Sequence, residues 1–115
     1  SLPASDATRV GDDNLRHQGM QLLQVLDEWQ TGAGESTLAT WLSEDNSSAL
    51  LSYLDGGLPV AASYRLTGAH GGSSETLVER GTPEGTVSIA FRLVWVGSEL
   101  WELELSLWYG PRGTA

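Results

Sequence analysis

The stretch from residue 87 to residue 109, VSIAFRLVWVGSELWELELSLWY, decides the fold. Apolar residues alternate with others on both sides of Gly97-Ser98, which is the two-residue period of strands and not the 3.6-residue period of a helix. Val87, Ile89, Phe91, Leu93 and Trp95 form one row, answered by Trp101, Leu103, Leu105, Leu107 and Tyr109 on the next strand. The opposite rows read Ser88, Ala90, Arg92, Val94, Val96 and Leu100, Glu102, Glu104, Ser106, Trp108, polar in the middle and apolar toward the ends. If the two strongly apolar rows share the core face, the turn between them must preserve parity. A two-residue turn at Gly97-Ser98 sets Val96 against Glu99 and Leu93 against Glu102, core against solvent. A three-residue loop, Gly97 to Glu99 or Val96 to Ser98, is therefore expected, and it places Arg92 opposite Glu104 or Glu102 so that charges pair.

Working back toward the N-terminus, the period stays at two as far as Pro59. Strands are expected over about 60–67, with Val60, Ala62, Tyr64 and Leu66 on one face, and over about 75–80. Glycine-rich loops at 68–74 and 81–85 separate them. Before Pro59 the spacing is helical. Leu15, Leu22, Leu23, Leu26 and Trp29 mark a helix over about 12–30 begun by Asp12 or Asp13, with an upstream start at Ser5 as the alternative. Ser36 or Thr37 caps a second helix over about 36–43, and a third follows over about 46–55. The predicted fold is α+β: N-terminal helices packed on a curved, cone-like antiparallel meander (about 60–67, 75–80, 86–96 and 100–109). Residues 12–110 form one domain, between a flexible N-terminal segment or linker (1–11) and a tail (111–115).

With 115 residues and 40% hydrophobic content, the chain has the size of one ordinary domain. Its formal charge is −9, with nine acids against two Arg in residues 1–55 and six acids against four Arg in residues 56–115. An acidic surface with scattered Arg argues against nucleic-acid partners, and no apolar run is long enough for membrane insertion. The absence of Lys excludes Schiff-base chemistry, and the absence of Cys excludes disulfides, thiolate metal sites and thiol catalysis. The expectation is a soluble domain, either cytoplasmic or an extracytoplasmic part of a longer protein.

No motif carries identifiable chemistry. The carboxylate pairs Asp12-Asp13, Asp27-Glu28 and Glu44-Asp45 match no calcium-loop spacing. The 68–74 loop lacks the Gly-Lys-Ser/Thr ending of a phosphate loop, and there is no nucleophile elbow. His17 reads as an exposed helical residue and His70 as a solvated loop residue. No catalytic residue, cofactor or metal ligand is assigned.

Three helices followed by a long antiparallel meander resemble, in the order of their elements over about residues 12–109, the cystatin-like or nuclear transport factor 2-like (SnoaL-like) superfamily. The resemblance implies a cone with the first helix in its concave face. It also implies a family that hosts isomerases, dehydratases and hydrolases beside transport adaptors and noncatalytic accessory domains, often dimeric through the convex side of the sheet. On the proposed inward face of this chain, strands one, three and four carry no Asp, Glu or His, which disfavours proton-transfer chemistry. The leading expectation is a noncatalytic protein-interaction or accessory domain, whose partner is a second copy or other domains of a parent chain. Its interface is assigned to Val94, Val96, Leu100 and Trp108 around Arg92, Glu102 and Glu104 on the outward sheet face. The alternative is an apolar small-molecule pocket between helix one and the sheet, lined by Trp29, Tyr64, Phe91, Trp95, Trp101 and Tyr109 with His17 and Arg80 nearby. An isomerase, dehydratase or hydrolase comes second to that.

Overall fold

Where a helix starts is set by who satisfies its first free N–H groups. In the computed structural model, which describes residues 4–113 and side chains from residue 13 on, two of the three helices are begun by side-chain caps. Ser36 Oγ accepts from the Ala39 amide at 3.1 Å and opens α2 (Thr37–Ser43), while Asn46 Oδ1 accepts from Ala49 at 3.2 Å and opens α3 (Ser47–Gly57). The first helix, α1, spans Ala4–Glu28, so Asp12 and Asp13 lie inside it and the helix begins upstream, near the alternative start at Ser5. Residues 4–11, expected to be a flexible segment, belong to it. After Pro59 come four strands: β1 (Ala62–His70), β2 (Ser73–Arg80), β3 (Ser88–Val96) and β4 (Glu99–Tyr109). Helices followed by a four-stranded antiparallel sheet is the architecture expected of the sequence.

The strand order is β2-β1-β4-β3, not the sequential order of a simple meander. Two hairpins, β1-β2 and β3-β4, are joined by β1 pairing with β4 along Ala62↔Tyr109 to Ala69↔Glu102. The link between β2 and β3, residues 81–87, must therefore cross from one sheet edge to the other. A Cβ on Gly81 (φ +83°) would fall 2.5 Å from Ser63 Oγ, and one on Gly110 would fall 2.8 Å from Glu84 Oε1. Beneath this crossing Ser63 and Trp108, partners in the ladder, are fully buried.

One face of the sheet meets the helices. Tyr64 and Leu66 of β1, Leu103, Leu105 and Leu107 of β4, and Ala90 and Val94 of β3 pack with Leu15, Leu23, Leu26, Leu38, Leu50 and Leu54, all essentially inaccessible to water. Gly19 lets α1 approach this face closely, because a Cβ there would lie 2.6 Å from Leu107 Cδ1. Gly19→Ala should gain about 1 kcal/mol of helix propensity and lose about 1–3 kcal/mol to overpacking. We expect a net destabilisation of about 1 kcal/mol in urea denaturation; a stabilised variant would mean that the contact is loose.

Arg112 also packs on the domain, against the expectation of a tail. Arg112 donates to the carbonyls of Ala62 (2.8 Å), Asp55 (3.2 Å), Leu58 (3.3 Å) and Pro59 (2.9 Å), closing the end of α3 and the entry to β1.

Candidate functional site

The hairpin between β3 and β4 turns in two residues, with Val96 opposite Glu99 and Leu93 opposite Glu102. Gly97 has φ +62° and Ser98 an ordinary negative φ, the pattern of a type II′ turn, which suits the right-handed twist of a hairpin. This is the register that hydrophobic parity argued against. Its consequence is that β3 presents its other row to the core. Ala90 and Val94 are buried, and Arg92 reaches Asp27 of α1, with Nε and Nη2 each 2.9 Å from Oδ2. Ser36 donates to the other oxygen of Asp27 at 2.7 Å, so one carboxylate ties together α1, the cap of α2 and β3.

The strongly apolar row of β3 is therefore left on the face away from the helices. Phe91, Leu93 and Trp95 are 57%, 61% and 65% exposed, continued by Val87, Ile89 and, from β4, Leu100. Beside them in the ladder, Glu102 faces Leu93 and Glu104 faces Phe91, and neither carboxylate has an ion-pair partner among the described residues. Arg65, on the same face, is committed to Glu79.

Of the residues assigned to an interface from sequence, Leu100, Glu102 and Glu104 lie on this outward face. Val94 is buried in the core and Trp108 under the 81–87 crossing, while Arg92 and Val96 point to the helix side. Of the residues assigned to a pocket, Tyr64 and Trp101 are buried on the inward face, and Phe91 and Trp95 stand on the outward one. Trp29 is 56% exposed past the end of α1, Tyr109 is half exposed at the end of β4, His17 is exposed on α1 and Arg80 faces Asp55. The structure does not gather this set. Ile89 and Leu93 were missed as surface residues, and the signal that could have found them is the Gly97-Ser98 pair itself, a type II′ sequence.

Two polar clusters lie on the inward face. At one end His70 extends β1 and does not float in a loop. Its ring stacks on Trp101 (centroids 3.7 Å apart, planes at 5°), and its Nδ1 lies 2.8 Å from Glu99 Oε1, which also accepts from Trp101 Nε1 at 3.0 Å. Gly68 makes room for this stack, since a Cβ there would lie 3.3 Å from the Trp101 ring. At the other end Tyr64 donates its hydroxyl to Asp55 at 2.8 Å, with Arg80 and Arg112 at 3.7 and 3.5 Å from the same carboxylate. Burial first, then the hydrogen bond to Asp55, push the Tyr64 hydroxyl well above the ordinary tyrosine range. Both clusters join elements of the fold by satisfying one another.

A groove of about 470 Å³ runs between α2 and the β3-β4 turn, lined by Glu35, Ser36, Thr40, Ser43 and Trp95 among others. Among the described residues no group of three or more His, Asp or Glu side chains could hold a metal ion, and no helix is long and apolar enough to cross a membrane. No protein-family model matches the chain, and no curated protein or solved structure is detectably similar to it.

Proposed function

We propose that this chain is a noncatalytic interaction domain that self-associates at β3, where the outward apolar row of its sheet runs along a sheet edge. The observation that carries the reading is the row Ile89, Phe91, Leu93 and Trp95, open to solvent on a face the helices do not cover. Contiguous apolar surface on this scale, bordered by polar residues, marks a contact surface. The polar clusters support the same reading, because their His, Tyr and carboxylate groups are engaged with neighbouring elements. The order of the elements, helices before an antiparallel sheet, supports kinship with the cystatin-like and nuclear transport factor 2-like superfamily as part of this proposal.

Sedimentation of the wild-type chain over roughly 1–500 µM should show a monomer–dimer equilibrium, the range suited to a modest interface. Because each copy carries −9, added salt should tighten it by screening the repulsion. The double variant Phe91→Glu/Leu93→Glu should be monomeric throughout, with a urea midpoint close to wild type because both side chains are exposed. A wild-type chain that is monomeric across the range, or a double variant that dimerises as before, would sink the proposal.

A further inference from the structure

We infer that a second copy of the chain adds edge to edge, and not face to face, along β3 in an antiparallel register centred on Phe91. The inference rests on the self-association proposed above and specifies its geometry.

The backbone of β3 points the same way as its side chains. The residues flanking a two-residue hairpin form a hydrogen-bonded pair, so Val96, Val94, Arg92 and Ala90 turn their N–H and C=O groups toward β4. Ile89, Phe91, Leu93 and Trp95 must then turn theirs to the free edge, where they have no partner among the described residues. The same four residues thus offer an open hydrogen-bonding edge and an apolar row. Edges of this kind are ordinarily blunted by charge, proline or a bulge. The opposite edge, β2, is blunted: it holds Glu75 and Glu79 and the ladder irregularity at Leu66/Thr67. On β3 the outward row has no charge, no proline and no bulge.

Several arguments select a second copy. The row is self-complementary, since a two-fold axis at Phe91 sets Phe91 against Phe91, Ile89 against Leu93 and Val87 against Trp95. On the inward side the same register sets Ala90 against Arg92. The neighbouring register, centred one residue later, would set Arg92 against Arg92, like charges at close range. Edge pairing also leaves Glu102 and Glu104 of both copies in water. Stacking the outward faces would bury those four carboxylates, and the described Arg near them are already committed to Glu79 and Asp27. The product is a continuous eight-stranded sheet with about six new backbone hydrogen bonds.

The chain contains no cysteine, so single-cysteine variants report cleanly. In the proposed dimer the two Phe91→Cys sites face one another at disulfide distance. Under mild oxidation that variant should cross-link about tenfold more than Leu93→Cys, whose sites are offset along the strand. Leu100→Cys, on the face, should not cross-link. In the wild-type chain, amide exchange at Ile89, Phe91 and Leu93 should slow as concentration rises. A dimer that cross-links through Leu100→Cys and not Phe91→Cys, or through neither, overturns the edge geometry while self-association stands. Cross-linking of a Phe91→Cys/Leu93→Cys mixture alone would move the axis to Arg92 and overturn the register. A chain that sediments as a monomer removes both the geometry and the proposal beneath it. An extended basic, apolar segment that binds this edge, weakening with salt, in place of a second copy would do the same.

Discussion

Trp108→Ala is expected to lower the stability of the fold by about 3–5 kcal/mol, enough to unfold much of the population of a marginal domain. The side chain is fully buried, yet it is not part of the core between helices and sheet; it sits on the other face, under the 81–87 crossing. Removing it would leave a cavity beneath the crossing. The indole Nε1–H is buried without an acceptor, and such an orphaned donor costs about 1–3 kcal/mol. Trp108→Phe, which deletes that donor along with some volume, should therefore cost far less than Trp108→Ala. Urea denaturation of both variants tests this: a loss under about 1 kcal/mol for the alanine variant would mean that the crossing does not pack on the ring.

Asp55→Ala should have the next largest effect, about 2–4 kcal/mol, through the groups it abandons and not through its own contacts. Tyr64 would lose the nearer acceptor of its buried hydroxyl, keeping only the Leu51 carbonyl at 3.2 Å, and the guanidinium groups of Arg80 and Arg112, only 16% and 13% exposed, would lose their carboxylate. The pH dependence has a definite sign. Because the folded state raises the Tyr64 pKa above its ordinary 10.0, the stabilisation is complete below pH 10 and is lost as pH rises from there toward the folded value. In Asp55→Ala burial still raises the pKa but the hydrogen bond and the charge are gone, so the alkaline loss of stability should be shallower. Equal alkaline slopes in wild type and variant would place Tyr64 outside this network.

Much of the architecture was legible in the sequence because single residues carried it. Ser36 and Asn46 announce α2 and α3, and Trp101, Leu103, Leu105 and Leu107 face the core as their alternation requires. The face of β3 was not legible from hydrophobicity, because both of its rows are largely apolar and the more apolar one is on the surface. Arg92, which marked the other row as outward, is accommodated inside by Asp27, a residue 65 positions away whose proximity no local pattern reveals. The turn chemistry of Gly97-Ser98 pointed to the true register, and parity outweighed it. Strand order was hidden for a similar reason: β1 pairs with β4 through contacts as distant as Ala62 and Tyr109, and the 81–87 link looks like an ordinary turn until it is seen to cross the sheet. Trp108 was assigned to the surface because the crossing that covers it was invisible.

The grip of Arg112 on the end of α3 has a consequence for the order of events during synthesis. The carbonyls of Asp55, Leu58, Pro59 and Ala62 all accept from a residue fifty or more positions downstream. β1 likewise waits for β4, the last of the four strands of the sheet to be synthesised. The helical half cannot complete its bonding as it emerges, and a nascent chain stopped before residue 112 holds exposed helix ends and an unpaired strand. The domain should thus close late and in one step, with its two halves unable to stand as separate folding units.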